Sequence, residues 1–182
     1  GLRAKYGAKL EGITGWGIGG PVRSQIARVR RLTLGEVEVT DLVARLSTQK
    51  AGALTSSSTA ALVGPDVLRQ FTLVVDYSRK RLIFEKNGDY GKRDTFDRAG
   101  MWMGQDDSGF RVLDVMQGGP ASEAGLAAGD TIAAVDGVAV ERLVLPEVRL
   151  RFKTDPPGTR VRLTVRSGER SREVTVTLRD LV

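Results

Sequence analysis

Three short stretches carry residue types that chemistry can use. Asp107, Ser108 and Gly109 form an Asp-Ser-Gly turn able to hold a carboxylate against water. Ser47, Thr48, Gln49 and Lys50 read Ser-x-x-Lys, a pattern in which a lysine stacked over a serine prepares it for acylation. Gly15, Gly17 and Gly20 read Gly-x-Gly-x-x-Gly, a backbone that lets a pyrophosphate come close. Each pattern lacks its context. No apolar strands cage Asp107, as a proton-sharing pair of carboxylates requires. Ser47 opens a Ser/Thr/Gly/Ala-rich loop over 47–59, which also holds Ser56, Ser57 and Ser58, and the companion motifs Ser-Asp-Asn and Lys-Thr-Gly are missing; Lys153-Thr154-Asp155 departs at its third place. Pro21 follows Gly20 directly, where a dinucleotide site needs a helix. The three read as a turn, a loop and a hairpin tip, so no catalytic residue, metal or cofactor is expected in this chain.

Composition narrows the classes further. The 182 residues contain no Cys and no His. Thiol nucleophiles, Ser-His-Asp catalysis and nearly every zinc site are excluded together. Lys and Arg total 28 against 22 acidic residues, a net charge of +6 that suits an acidic partner. Yet Arg160, Arg162, Arg166, Arg170 and Arg172 recur at even spacing, which marks the solvated face of strands. No stacking platform of aromatic residues accompanies them, so no nucleic acid is expected. No apolar run reaches the roughly 18 residues of a membrane-spanning helix.

The elements that position any site are mostly strands. Val37 and Val39 alternate with charge; Leu73, Val74 and Val75 and then Leu82, Ile83 and Phe84 flank the polar Ser78-Arg79-Lys80, as in a hairpin. Residues 87–98 are polar and turn-rich and read as a linker. Beyond them, 110–115 suits a strand and Gly118-Gly119-Pro120 a turn. Pro120 starts a short helix over 121–124 that Gly125 stops. A strand over 131–135 closes on Asp136-Gly137, a tight-turn signal. Pro146 opens a helix through about Lys153, Asp155-Pro156-Pro157-Gly158 ends it, and 161–166 and 174–178 form a hairpin across Ser167-Gly168. The fold class is mainly β, with α+β character.

The order strand, short helix, strand, helix, hairpin carries a resemblance. Gly118-Gly119-Pro120-Ala121, Ala124-Gly125-Leu126, Gly129-Asp130-Thr131-Ile132, Val135-Asp136-Gly137-Val138 and Pro157-Gly158-Thr159 together resemble the bacterial PDZ domain, over residues 99–182. The resemblance implies a peptide groove between one strand and the second helix, with a terminal carboxylate held by successive backbone N–H groups. Gly100 followed by Met101, Trp102 and Met103 is similar to that loop, so the amides of Met101, Trp102 and Met103 are the implied donors. The family prefers a small residue where Trp102 stands; the indole leaves internal-segment binding or occlusion of the cradle open. Val148 and Phe152, four apart, share a helix face and either line the side-chain pocket or pack the core.

A second resemblance lies in front of it. Gly17, Ile18, Gly19 and Gly20 are similar to the flap of retropepsin-like aspartic peptidases, the hairpin that covers substrate. Ala61-Leu62-Val63-Gly64-Pro65-Asp66-Val67-Leu68, then Phe71 and Val74-Val75-Asp76-Tyr77, resembles the run into that family's short helix and final hairpin. Together the chain resembles a bacterial retropepsin-like aspartic peptidase with a C-terminal PDZ domain. The implied organisation is a partial retropepsin-like β-barrel over 1–86, a linker over 87–98 and a PDZ domain over 99–182. The family's catalytic Asp-Thr/Ser-Gly should precede the flap, and nothing ahead of Trp16 supplies it. The chain is therefore expected to be an inactive piece of an aspartic endopeptidase carrying a peptide-binding module, or else a non-catalytic adaptor. Its expected partner is a peptide or protein substrate. Unpaired sheet edges predict a homo-oligomer, and the resemblance implies a periplasmic or cell-envelope location.

Overall fold

The computed structural model describes residues 7, 10–17, 19–48 and 61–182. They form a mainly β structure with three antiparallel sheets. The first is a meander of β1 (Leu10–Gly17), β2 (Gly20–Leu34) and β3 (Val37–Ser47). Gly17 faces Gly20 at the β1–β2 turn, so the glycine cluster is a hairpin tip; Ile18 lies outside the described residues. Ser47 ends β3, while Gln49, Lys50 and the serines at 56–58 also lie outside them.

A short α1 (Pro65–Leu68) starts on Pro65, whose missing N–H costs nothing at a first helical position. It leads into the hairpin of β4 (Phe71–Asp76) and β5 (Arg81–Lys86). Phe71 fixes this hairpin to the meander. Its ring meets Phe84 edge-on at 5.3 Å and Tyr90 at 5.6 Å, and it shares a small core with Val39 and Leu42. Tyr90 keeps its hydroxyl satisfied by donating to the Glu38 carbonyl at 2.6 Å.

The remaining elements are β6 (Met101–Asp106), β7 (Gly109–Val115), α2 (Pro120–Glu123), β8 (Thr131–Val135), β9 (Val138–Ala139), a 3-10 turn (Val140–Arg142), α3 (Leu145–Thr154), β10 (Arg160–Ser167) and β11 (Arg170–Thr177). They build a sheet in the order β11-β10-β8-β7-β6, with β9 paired to β8. Asp136 and Gly137 both take positive φ (49° and 81°), the geometry a two-residue hairpin turn demands. Asp107 and Ser108 form the turn between β6 and β7, where the Asp106 carboxylate accepts the Ser108 amide at 2.8 Å. On β10, exposed Arg160, Arg162 and Arg166 alternate with buried Val161, Leu163 and Val165, which accounts for the arginine spacing.

The main core lies between this sheet and α3. Leu145, Val148 and Phe152 point from the helix into it, beside Met101, Met103, Phe110 and Ile132. Arg98 fastens the chain ahead of β6 to the helix end. Its guanidinium donates to the carbonyls of Lys153 (3.0 Å) and Asp155 (2.9 Å), carbonyls that no helical N–H reaches, and to Asp180 at 2.7 Å.

The meander packs on this sheet through β1. The Ile13 amide donates to the Asp114 carboxylate at 2.7 Å, and Arg23 reaches the other oxygen of that carboxylate at 3.1 Å. Gly12 permits the approach, since a Cβ there would lie 2.6 Å from the Met116 methyl. Phe152 is fully buried, so Phe152→Ala should lower unfolding free energy by about 3–5 kcal/mol through lost burial and the cavity left behind. Chemical denaturation of the two proteins measures it; a loss near zero would mean that the helix face is open rather than packed.

Candidate functional site

The strand β6 is the edge of its sheet, so half of its main-chain groups face away from β7. Which half follows from one bond. The Met116 amide donates to the Gly100 carbonyl at 2.8 Å. Hydrogen-bonded pairs alternate in an antiparallel ladder, so the next falls at Trp102 and Asp114, which are directly opposite. The main-chain groups of Met101 then face the open edge; the pairing shifts between Trp102 and Met103, and the Met103 carbonyl is reached from the open side by Arg149.

Two side chains already occupy that edge. The Asp97 carboxylate accepts the Gly100 amide at 2.6 Å and the Met101 amide at 3.4 Å. From α3, the Arg149 guanidinium donates to the Met103 carbonyl and lies over the Trp102 ring, 5.0 Å from its centre. Between them is a cavity of about 170 Å3. Met101, Trp102, Met103 and Asp97 line one side and Arg149 and Lys153 the other. Ile13 and Thr14 of β1 and Arg45 of β3 line it too, beside Thr95, Phe96 and Met116, so both the meander and the larger sheet contribute.

The electrostatics differ among these groups. Burial pushes the Asp97 carboxyl up to about 7, against the pull of the Gly100, Met101 and Ala99 amides and of the Arg149 charge. Burial likewise lowers Arg149 from its ordinary range, while Asp97 acts in the opposite sense. Lys153 is paired with Asp66 at 3.1 Å and lies 4.0 Å from Asp94. Arg45 and Arg149 have no carboxylate within ion-pair distance among the described residues.

An edge strand faced by a helix across a cavity lined by both apolar and charged side chains is a place where an extended chain can add. The family model for the PDZ domain matches residues 86–178. The chain belongs to the PDZ domain family. No curated protein matches it. Solved structures that are similar include a PDZ domain protein from Parabacteroides distasonis, 22% identical over 46% of this chain and 20% of that one, with a TM-score of 0.39. An aminopeptidase N family protein from Idiomarina loihiensis is 22% identical over 61% of this chain and 17% of its own, with a TM-score of 0.40. The HtrA-type protease AlgW with decapeptide is 16% identical over 96% and 61%, with a TM-score of 0.40. This chain spans less than two thirds of the length of each.

Within the PDZ domain, the residues singled out from sequence separate into two groups. Met101, Trp102 and Met103 lie together along the cavity, Trp102 half-buried and the two methionines buried. Val148 and Phe152 are turned into the core, and the helix presents Arg149 and Lys153 to the cavity instead. Gly17, Gly19 and Gly20 are at the hairpin tip and do not line it. Sequence reasoning missed Asp97, Arg149 and the β1 wall. Asp97 had a local signal, a carboxylate three residues ahead of a glycine amide. Arg149 had only its place beside an apolar stripe, and Ile13 had none, because its role depends on how the meander sits.

A carboxyl held in its acid form by burial stabilises the fold below the ordinary carboxylate range and loses that contribution as pH rises through about 7. The groups facing Asp97 are the Arg149 cation and, across the cavity, Arg45 and Lys153. Asp97→Asn keeps an acceptor oxygen without the titration. Its stability relative to the parent protein should therefore rise from about pH 4 to about pH 7 and level off above. Denaturation midpoints of the two proteins across that window measure it; a constant difference would contradict the raised Asp97 carboxyl.

Proposed function

We propose that this chain is a peptide-docking module in which an extended segment adds as a strand along β6, opposite α3. The observation that carries this is the open edge of β6 beside the cavity, with the main-chain groups of Met101 and the Met103 carbonyl facing outward. The roles of Met101, Trp102 and Met103 as groove residues belong to this reading, while Val148 and Phe152 support it from beneath. Because Ile13 and Thr14 wall the same cavity, a docked segment runs beside β1, the stem of the glycine-tipped hairpin.

On the same footing, we take residues 1–86 as the flap-bearing part of a retropepsin-like aspartic peptidase domain, 87–98 as a linker and 99–182 as the PDZ domain. What supports this is the order of a glycine-tipped hairpin, a third strand, a helix after Gly64 and a closing hairpin. Gly17, Ile18, Gly19 and Gly20 would then cover substrate, and the PDZ groove would hold the substrate chain close to that cover. An adaptor without catalysis is the competing account. Reading the parent gene ahead of Gly1 decides between them: an Asp-Thr/Ser-Gly within an apolar strand favours the peptidase, and its absence rejects it. Association through the outer edges of β1 and β3 belongs to this reading too; a monomer in light scattering at high concentration would reject it.

Strand addition makes a test that side-chain binding does not. Only alternate residues of an added strand turn their N–H groups to β6. Methylating the backbone nitrogens of a bound decapeptide one at a time should weaken binding at every second position, by about tenfold for one lost hydrogen bond, and leave the others nearly unchanged. Fluorescence anisotropy measures it; losses without that alternation would reject strand addition.

A further inference from the structure

The cavity holds a ready-made occupant and three cations facing it, Arg149, Arg45 and Lys153. Amides that lead into a strand edge can receive a carboxylate, and here the carboxylate of Asp97 does so, at 2.6 Å from Gly100 and 3.4 Å from Met101. A free peptide C-terminus placed there would lack those two donors and would stand beside a second carboxyl group. Opening them would first require moving Asp97, which Arg98 holds from the next position: its own N–H donates to the Phe152 carbonyl at 2.8 Å, and its side chain is bonded to Asp180, Lys153 and Asp155.

The opposite wall asks for negative charge. Arg149 spans the groove to the Met103 carbonyl and rests on Trp102, so an incoming strand must take that carbonyl from it. A carboxylate on the incoming side chain gives the displaced guanidinium a stronger partner than a carbonyl, because both groups are charged and the fork geometry fits. Arg45 faces the same space from β3, and neither arginine has a carboxylate within ion-pair distance among the described residues. Lys153 is already matched by Asp66.

We infer that the groove receives an internal, acidic stretch of extended chain rather than a free C-terminus, with Asp97 standing in for the terminal carboxylate and Arg149 and Arg45 receiving acidic side chains. The inference rests on the strand-addition reading above, and deepens it by naming the class of segment bound.

Four immobilised-protein selections test it, using the full chain and randomised decapeptide pools with apolar residues at alternate positions. Three pools are blocked at both ends and carry Glu, Gln or Lys at the remaining positions; the fourth is the Glu pool with a free C-terminal carboxylate. The blocked Glu pool should be retained at least tenfold over the Lys pool and several-fold over the Gln pool, and the free-acid Glu pool should gain no more than twofold. Arg149→Gln should shrink the preference for Glu over Lys to a few-fold. Asp97→Ala should raise retention of the free-acid pool over the blocked one, because the amides are then vacant. A tenfold preference of the parent protein for free-acid peptides, or equal retention of Glu and Lys pools, would overturn the inference while leaving peptide docking intact. Retention of no pool by the parent protein and by both variants would overturn docking itself and the inference with it.

Discussion

The hold of the Asp97 carboxylate on the amides at the start of β6 is the interaction on which the site's geometry turns. Those amides precede an edge strand and have no ladder partner, and an unpaired N–H withdrawn from water costs about 1–3 kcal/mol. Asp97 satisfies Gly100 and reaches Met101, fixing where β6 begins. Gly100 then takes the Met116 amide on its carbonyl, which sets the pairing of the first residues of β6 with β7. The pairing with β7 shifts between Trp102 and Met103, and beyond that shift Arg149 reaches the outward Met103 carbonyl while the side chains of Met101 and Met103 stay buried. The carboxyl bears a cost for this position, since burial favours its acid form.

Around that start, the chain has arranged two independent supports. Arg98 ties the preceding segment to the end of α3 and to Asp180, so strand and helix keep their separation. On the other side, Asp114 binds the Ile13 amide and Arg23 together and holds β1 against β7. The cavity between is a joint product of the PDZ domain and the meander, which gives any docked segment a third wall beyond its usual strand and helix.

Much of the PDZ domain was legible in the sequence because its punctuation is local. Pro120 and Gly125 bracket α2, Asp136-Gly137 makes its tight turn, and Pro146 sits in the first turn of α3. The alternation of arginine with Val161, Leu163 and Val165 already told which face of β10 is wet. The glycine-tipped hairpin was legible for the same reason. The long β2 was not, since its 15 residues mix Arg and apolar side chains with breaks in alternation. Nor was the division of labour on α3. Val148 and Arg149 are adjacent, and only the position of the sheet decides that the first is core and the second faces the cavity. Asp97 differs from these, because a carboxylate three residues ahead of a glycine amide is a local signal.

The most direct test of this account is a pH titration of the Gly100 and Met101 amide resonances by NMR in the intact chain. The account predicts that both shift together with the Asp97 side-chain carbonyl, Gly100 more than Met101 in keeping with its shorter bond, at a midpoint well above the ordinary carboxylate range. Amides that exchange rapidly with solvent and ignore the state of Asp97 would contradict it, because the cradle would then be empty and open to any terminal carboxylate.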